Sequence, residues 1–230
     1  MKINFKHATV FLVLIAIAAT SCSSNSDSEP EPLPDFFNLN VGNEWVYKKY
    51  QNSYENLEDY TFTGEIDSVK VVAKVTIDGI EFSKIQHKIR TITGGGIMNP
   101  RYEYLRVDEL GHLIGTLHGA FFYEDPTTAN GSNYIRHPGD DITYQNTLVQ
   151  ESGTIFTSVF PNTNIIVEGN NYTVSPLVLE YTSPEGTVPM INKSIASNYQ
   201  RQIGLIKKTN AYVSGNLFWE DRLVSYLIVN

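Results

Sequence analysis

The chain has 230 residues, a formal net charge of −8, 41% hydrophobic residues and one cysteine. The acidic balance argues against nucleic-acid binding, which needs a basic face, and against charge-driven docking on anionic lipid. A single thiol excludes an internal disulfide, so stability must come from the core.

Lys2 and Lys6 precede a mostly apolar run, Ala8 to Ala19, broken by Thr9. Ala19, Thr20 and Ser21 then lead to Cys22. A positive start, apolar middle and small-residue exit predict a secretory signal peptide over residues 1–21. As a helix the apolar run would rise only ~18 Å, short of a hydrocarbon core of roughly 30 Å. The stretch ending in Cys22 resembles the lipobox of bacterial lipoproteins, with Ala19 where that family more often has Leu. The resemblance implies that the Cys22 sulfur takes a diacylglycerol, that cleavage occurs before it, and that the new amine is acylated. Two or more acyl chains make a stable membrane anchor, whereas one binds only marginally.

Residues 22–36 are mostly Ser, Asn, Asp, Glu and Pro. Such a segment buries too little apolar surface to order itself and reads as a flexible acidic tether. Its acids, Asp27, Glu29, Glu31 and Asp35, are similar to the export signal behind the cysteine in surface lipoproteins of Bacteroidota; a plain soluble spacer is the alternative. Loss of residues 1–21 lowers Lys plus Arg from 17 to 15 against 25 Asp plus Glu, a net charge of −10.

Residues 37–230 form one domain by length, large enough to bury a core. Gly42-Asn43 makes a turn, after which Trp45 and Tyr47 point to one face. Val69, Val71, Ala73, Val75 and Ile77 alternate with Lys70, Val72, Lys74 and Thr76, the period of a strand. Asp78-Gly79 is a hairpin turn, and IEFSKIQHKI runs back. The apolar phase slips in that return strand between Phe82 and Ile85, which predicts a bulge near Ser83. Gly94-Gly95-Gly96 marks a loop. Further hairpins are RYEYLRV–DELG–HLIGTLH, NIIVEG–NN–YTVSPLVLEYT and GLIKKTNAYV–SGN–LFWEDRLVSYLIV. The segment Asn192 to Gln202 fits neither period clearly. The fold expected is all-β, with antiparallel hairpins forming a curved sheet, an open barrel or a sandwich and little helix.

LNVGNEWVYKKY, with Leu39, Gly42, Trp45 and Tyr47, resembles the opening strand of β-rich lipoproteins of Bacteroidota. IGLIKK and RLVSYLI near the end are similar to the same proteins. The resemblance implies an all-β domain at the outer membrane and no mechanism.

Catalytic motifs are missing. There is no HExxH, no GxSxG, no phosphate loop and no calcium loop. His112 and His118 would lie roughly 20 Å apart on one strand, too far to share a metal. Glu124-Asp125 and Asp140-Asp141 are adjacent pairs, which point to opposite faces of a strand. No cofactor is implied, and the reading leans away from an enzyme.

Gly119 to Tyr144 is polar and turn-rich yet aromatic. Rings for stacking beside carboxylates suit a sugar or small-molecule surface, with Phe121, Tyr123, Asp125, Tyr134, Asp140 and Asp141 as candidate contacts. The alternative is a loop pinned to the sheet by its aromatics. Asp67-Ser68-Val69 resembles a short O-glycosylation motif of Bacteroidota envelope proteins, with Ser68 as acceptor.

The sequence therefore predicts an envelope lipoprotein on the outer membrane, in the periplasmic or surface leaflet. It would be a binding or accessory module for a glycan, a small molecule or an envelope protein. A lipid carrier is an alternative, its apolar concavity lined by Ile165, Ile166, Val167, Leu177, Val178 and Leu179. An envelope hydrolase is the third and would need converging carboxylates or histidines.

Overall fold

Alternation in the sequence becomes one antiparallel sheet. The computed structural model describes residues 35–52, 59–92, 99–115, 134–186, 192–211 and 217–229. Its strands are β1 (Glu44–Asn52), β2 (Tyr60–Ile77), β3 (Ile80–Thr91), β4 (Arg101–Val107), β5 (Leu113–Gly115), β6 (Tyr134–His137) and β7 (Gln145–Gln150). They continue as β8 (Gly153–Val159), β9 (Thr163–Val167), β10 (Asn170–Thr182), β11 (Asn192–Gln200), β12 (Gly204–Ala211) and β13 (Phe218–Leu227). No helix occurs among the described residues. The order across the sheet is β6-β5-β4-β3-β2-β1-β13-β12-β11-β10-β8-β7, with β9 paired to β10. The sheet is not closed into a barrel.

It curls nonetheless. His137 on β6 touches Ser175 on β10 and the Tyr199 ring on β11, strands far apart in the pairing order. The residues that meet on the inner side form the core. Val71, Val174, Ile206 and Leu223 have no exposed surface, and Trp45, Tyr47, Val69, Ile85, Leu105 and Leu113 surround them. Each such side chain stabilises the fold by roughly 1.5–3 kcal/mol.

The β2–β3 hairpin turns at Asp78-Gly79, with φ of 50° and 78°. Both residues adopt positive φ, as the tight primed turn requires. The bulge expected near Ser83 is in the facing strand instead. Val71 pairs with Ile85 and Ala73 with Lys84, so Val72 is the extra residue. β3 itself alternates without interruption, and its phase slip is a change of face. Ile85 faces the main core, while Phe82 joins Ile77 and Tyr104 in a small cluster on the outer side.

The β9–β10 turn is at Glu168-Gly169, φ 49° and 80°, and not at Asn170-Asn171, which open β10. β10 bends at Ser175-Pro176, pairing with β9 before it and β8 after it. Asn192 to Gln200 is strand β11. The chain divides into the units Met1–Leu33 and Pro34–Asn230, and the described residues belong to the second. Phe36, at the end of the expected tether, is buried, and its carbonyl accepts the Gln202 amide at 2.8 Å. Cys22 and the signal segment lie outside the described residues.

Candidate functional site

Side chains two apart on a strand share a face. On the inner face, the rows run from apolar to charged in one direction. β1 presents Trp45, Tyr47 and Lys49, and antiparallel β2 presents Val69, Asp67 and Glu65 beside them. β4 gives Leu105, Glu103 and Arg101. β12 and β13 add Lys208 opposite Asp221. These rows enclose a cavity of about 280 Å³. Phe37, Leu39, Trp45, Val69, Ile85 and Leu105 line its apolar end.

The charged end is partly closed on itself. Lys49 pairs with Glu65, and Arg136 pairs with the buried Glu103. His87 Nδ1–H donates to Asp67 Oδ2 at 2.7 Å, while His87 Nε2 stands 3.6 Å from Glu103 Oε2. Asp67 Oδ1 is buried without a hydrogen bond, a cost of about 1–3 kcal/mol. Burial pushes the Tyr199 hydroxyl up, opposed by the charge of Arg136 and a hydrogen bond to it. Tyr47 donates its hydroxyl to the Leu205 carbonyl at 2.8 Å and Trp45 its ring N–H to the Ile203 carbonyl at 2.5 Å, which locks both rings.

Lys208 and Arg101 differ from the other cations. Neither side chain forms an ion pair or hydrogen bond with any described residue. Burial lowers the Lys208 ammonium to about 8; the Arg136 charge adds to this and Asp221 opposes it. Burial raises the Asp221 carboxyl, opposed by Lys49 and Lys208 and reinforced by Asp67 and Glu65. Asp221 accepts a hydrogen bond from the Asn210 amide at 3.2 Å.

The residues singled out in the sequence fall elsewhere. Phe121, Tyr123 and Asp125 lie outside the described residues. Tyr134 accepts a hydrogen bond from Arg136 Nε at 2.8 Å, so it supports a cavity residue without lining the cavity. Burial raises its hydroxyl strongly. Asp140 is exposed and pairs with Arg201. Asp141 closes a turn, accepting the Thr143 amide at 3.0 Å and the Thr143 hydroxyl at 2.7 Å. Those hydrogen bonds hold its carboxyl below the usual range. The described members of that set therefore serve separate places. Ser68 is half-buried in the middle of β2, paired with Val46 and Lys88 on the face away from the cavity.

The residues named for the carrier's concavity lie elsewhere than on this cavity wall. Ile166 is 74% exposed. Among the described residues, no group of three or more His, Cys, Asp or Glu is placed to hold a metal.

The cavity residues were readable only through strand parity. Glu65 and Asp67 share parity with Val69 and Val71, and Arg101 and Glu103 with Leu105. A charge in the inward row of an otherwise apolar face is that signal.

No protein-family model and no curated protein matches the chain. Among solved structures it is similar to a protein of YmcC-like fold, assigned as exported, from Bacteroides fragilis, with 13% identity and a TM-score of 0.49 over 85% of this chain and all of that one. It is also similar to a protein assigned as a lipoprotein from Parabacteroides distasonis, with 14% identity and a TM-score of 0.44 over 86% of this chain and all of that one. At these values neither likeness bears on what the chain binds.

Proposed function

We propose that the chain is a cell-envelope lipoprotein, tethered through an acylated Cys22, whose β domain binds a small ligand in the cavity on its inner face. The N-terminal pattern of charge, apolar run and cysteine supports the address. The cavity supports the activity. Ligand sites combine an apolar wall with a few converging polar groups, and this one separates them into two ends.

His87 stands on the wall of the cavity among its carboxylates. Both of its ring nitrogens face carboxylates, Asp67 on one side and Glu103 on the other. Glu103 is itself held by Arg136. Asp67 orients the ring through Nδ1, while Nε2 stands beyond hydrogen-bond distance of Glu103. A glycan surface on residues 119–144 is the second reading for the ligand, and Tyr134 links that segment to the cavity through Arg136.

A thermal-shift screen of the full chain tests the reading, with amino acids, sugars, fatty acids and lipopeptides as ligands. Only a ligand that prefers the native state raises the melting temperature. Ile89→Trp, which places a larger ring on the cavity wall, should abolish the shift. If every class leaves the melting temperature unchanged, the cavity is a packing defect and the binding reading is wrong. A shift that survives Ile89→Trp would move the site to the 119–144 segment.

A further inference from the structure

The charges facing the cavity describe its ligand. Four cations, Lys49, Arg101, Arg136 and Lys208, face four carboxylates, Glu65, Asp67, Glu103 and Asp221. Two cation–carboxylate pairs are closed, Lys49 with Glu65 and Arg136 with Glu103. Two cations and two carboxylates remain. The Lys208 and Arg101 side chains form no ion pair or hydrogen bond with a described residue. Among the described residues, Asp67 is held by the His87 ring and Asp221 by the Asn210 amide. An anionic ligand would meet both open carboxylates, and a cationic one both open cations. For a ligand of one sign, repulsion from one pair of groups then offsets attraction to the other. A ligand carrying both charges meets all four groups favourably.

Resting on the cavity reading above, we propose that the site takes a small zwitterion with an apolar body, an α-amino acid of the leucine or phenylalanine kind. Its carboxylate faces Lys208, its ammonium faces Asp67 and Asp221, and its side chain lies against Trp45, Val69 and Leu105. Asp221 lies directly opposite Lys208 across β12 and β13. Asp221 and Asp67 lie on the two strands that flank β1, opposite Lys49 and Tyr47, so all three groups line one face of the cavity. The volume agrees. A cavity of about 280 Å³ has room for a small molecule.

The test uses the full chain and isothermal titration with three molecules of one shape: L-leucine, 4-methylpentanoate, which lacks the amine, and 3-methylbutylamine, which lacks the carboxylate. Leucine should bind, and each truncated analogue at least tenfold more weakly, because a site built around a polar group rejects a ligand without it. Lys208→Met should weaken leucine at least tenfold and leave the amine unchanged. Asp221→Asn should weaken leucine and leave the acid unchanged. If either analogue binds wild type as tightly as leucine, the zwitterion inference is overturned while the cavity reading stands. The same holds if all three fail but another class in the screen binds and is lost in Ile89→Trp. If no class binds, both fall. Should Lys208→Met not fold, the three ligands on wild type decide the matter alone.

Discussion

His137 on β6 donates its Nε2–H to the Ser175 carbonyl on β10 at 3.0 Å, tying one edge strand of the sheet to the bend of a strand nine places along the pairing order. Its Nδ1 accepts the Gly139 amide at 3.1 Å. One nitrogen donates and the other accepts, so the ring is neutral. Phe36 stacks on it at 5.2 Å between ring centres, and Tyr199 lies at 4.9 Å. The curl of the sheet thus depends on an uncharged imidazole.

Stability should therefore fall in acid. Burial lowers His137 from its usual 6.5 to about 4, opposed by the hydrogen bond to Ser175 and by Asp140. Between pH 6.5 and 4 the unfolded chain binds the proton and the folded one does not, so stability rises with pH across that window and is lost as pH falls through it. The shift corresponds to about 3 kcal/mol. Urea titrations at pH 7.5 and 4.5 check the size, and NMR of the ring checks the cause. A His137 resonance that titrates near 6.5 in the folded protein would remove the argument.

A second tie joins the two ends of the domain. Asn43 is wholly buried in the turn before β1. Its side-chain amide donates to the Asn38 carbonyl at 3.0 Å, and its Oδ1 accepts the Val229 amide at 2.7 Å. Its backbone carbonyl accepts the Val71 amide at 2.9 Å. Asn43→Ala keeps the backbone bond and strands the other partners. The expected loss is about 2–3 kcal/mol, read by chemical denaturation, with hydrogen exchange of the Val229 amide accelerated. Wild-type stability in the variant would show that water replaces the carboxamide.

Much of this fold was legible in its alternation. Val69 to Ile77, Asp78-Gly79 and the Trp45/Tyr47 face all follow from period two and turn chemistry. What stayed hidden has physical causes. β7 is exposed at every position, so no apolar row marks it. Asn170-Asn171 has stronger turn chemistry than Glu168-Gly169, but the pairing of Tyr172 with Ile165 sets the register. Cross-strand packing outweighed local preference there. The cavity was hidden for another reason. Its parts sit on β1, β2, β3, β4, β5, β6, β11, β12 and β13, and no short motif spans them. The aromatic loop drew attention through composition, whereas the inner face required the parity of each strand and its pairing partner.

The address is tested separately from the domain. If Cys22 carries the acyl chains, Cys22→Ala should leave the protein soluble or uncleaved, because stable anchoring needs two or more chains. Detergent phase partitioning of cell extracts checks this, with mass spectrometry of the wild-type N-terminal peptide for the lipid. A variant that partitions with membranes as the wild type does would leave Cys22 without that role.

Lys208 offers the most direct view of the empty end of the cavity. Its ammonium should titrate near 8, low for a lysine, since burial and the Arg136 charge both disfavour the proton. Asp221 opposes that effect, so Asp221→Asn should lower the value further. Two-dimensional NMR of the lysine side chains across pH 6–11 follows both proteins. The sign in stability is also set. Between about 8 and the usual 10.5 the unfolded chain holds the proton and the folded chain does not, so folding is favoured progressively as pH rises through that window. A ligand carboxylate beside Lys208 would reverse the shift, because an opposite charge at close range stabilises the ammonium. Raising of the Lys208 value by leucine, but not by 3-methylbutylamine, would place the carboxylate at that nitrogen. An unmoved Lys208 in the presence of bound leucine would put the head group elsewhere in the cavity.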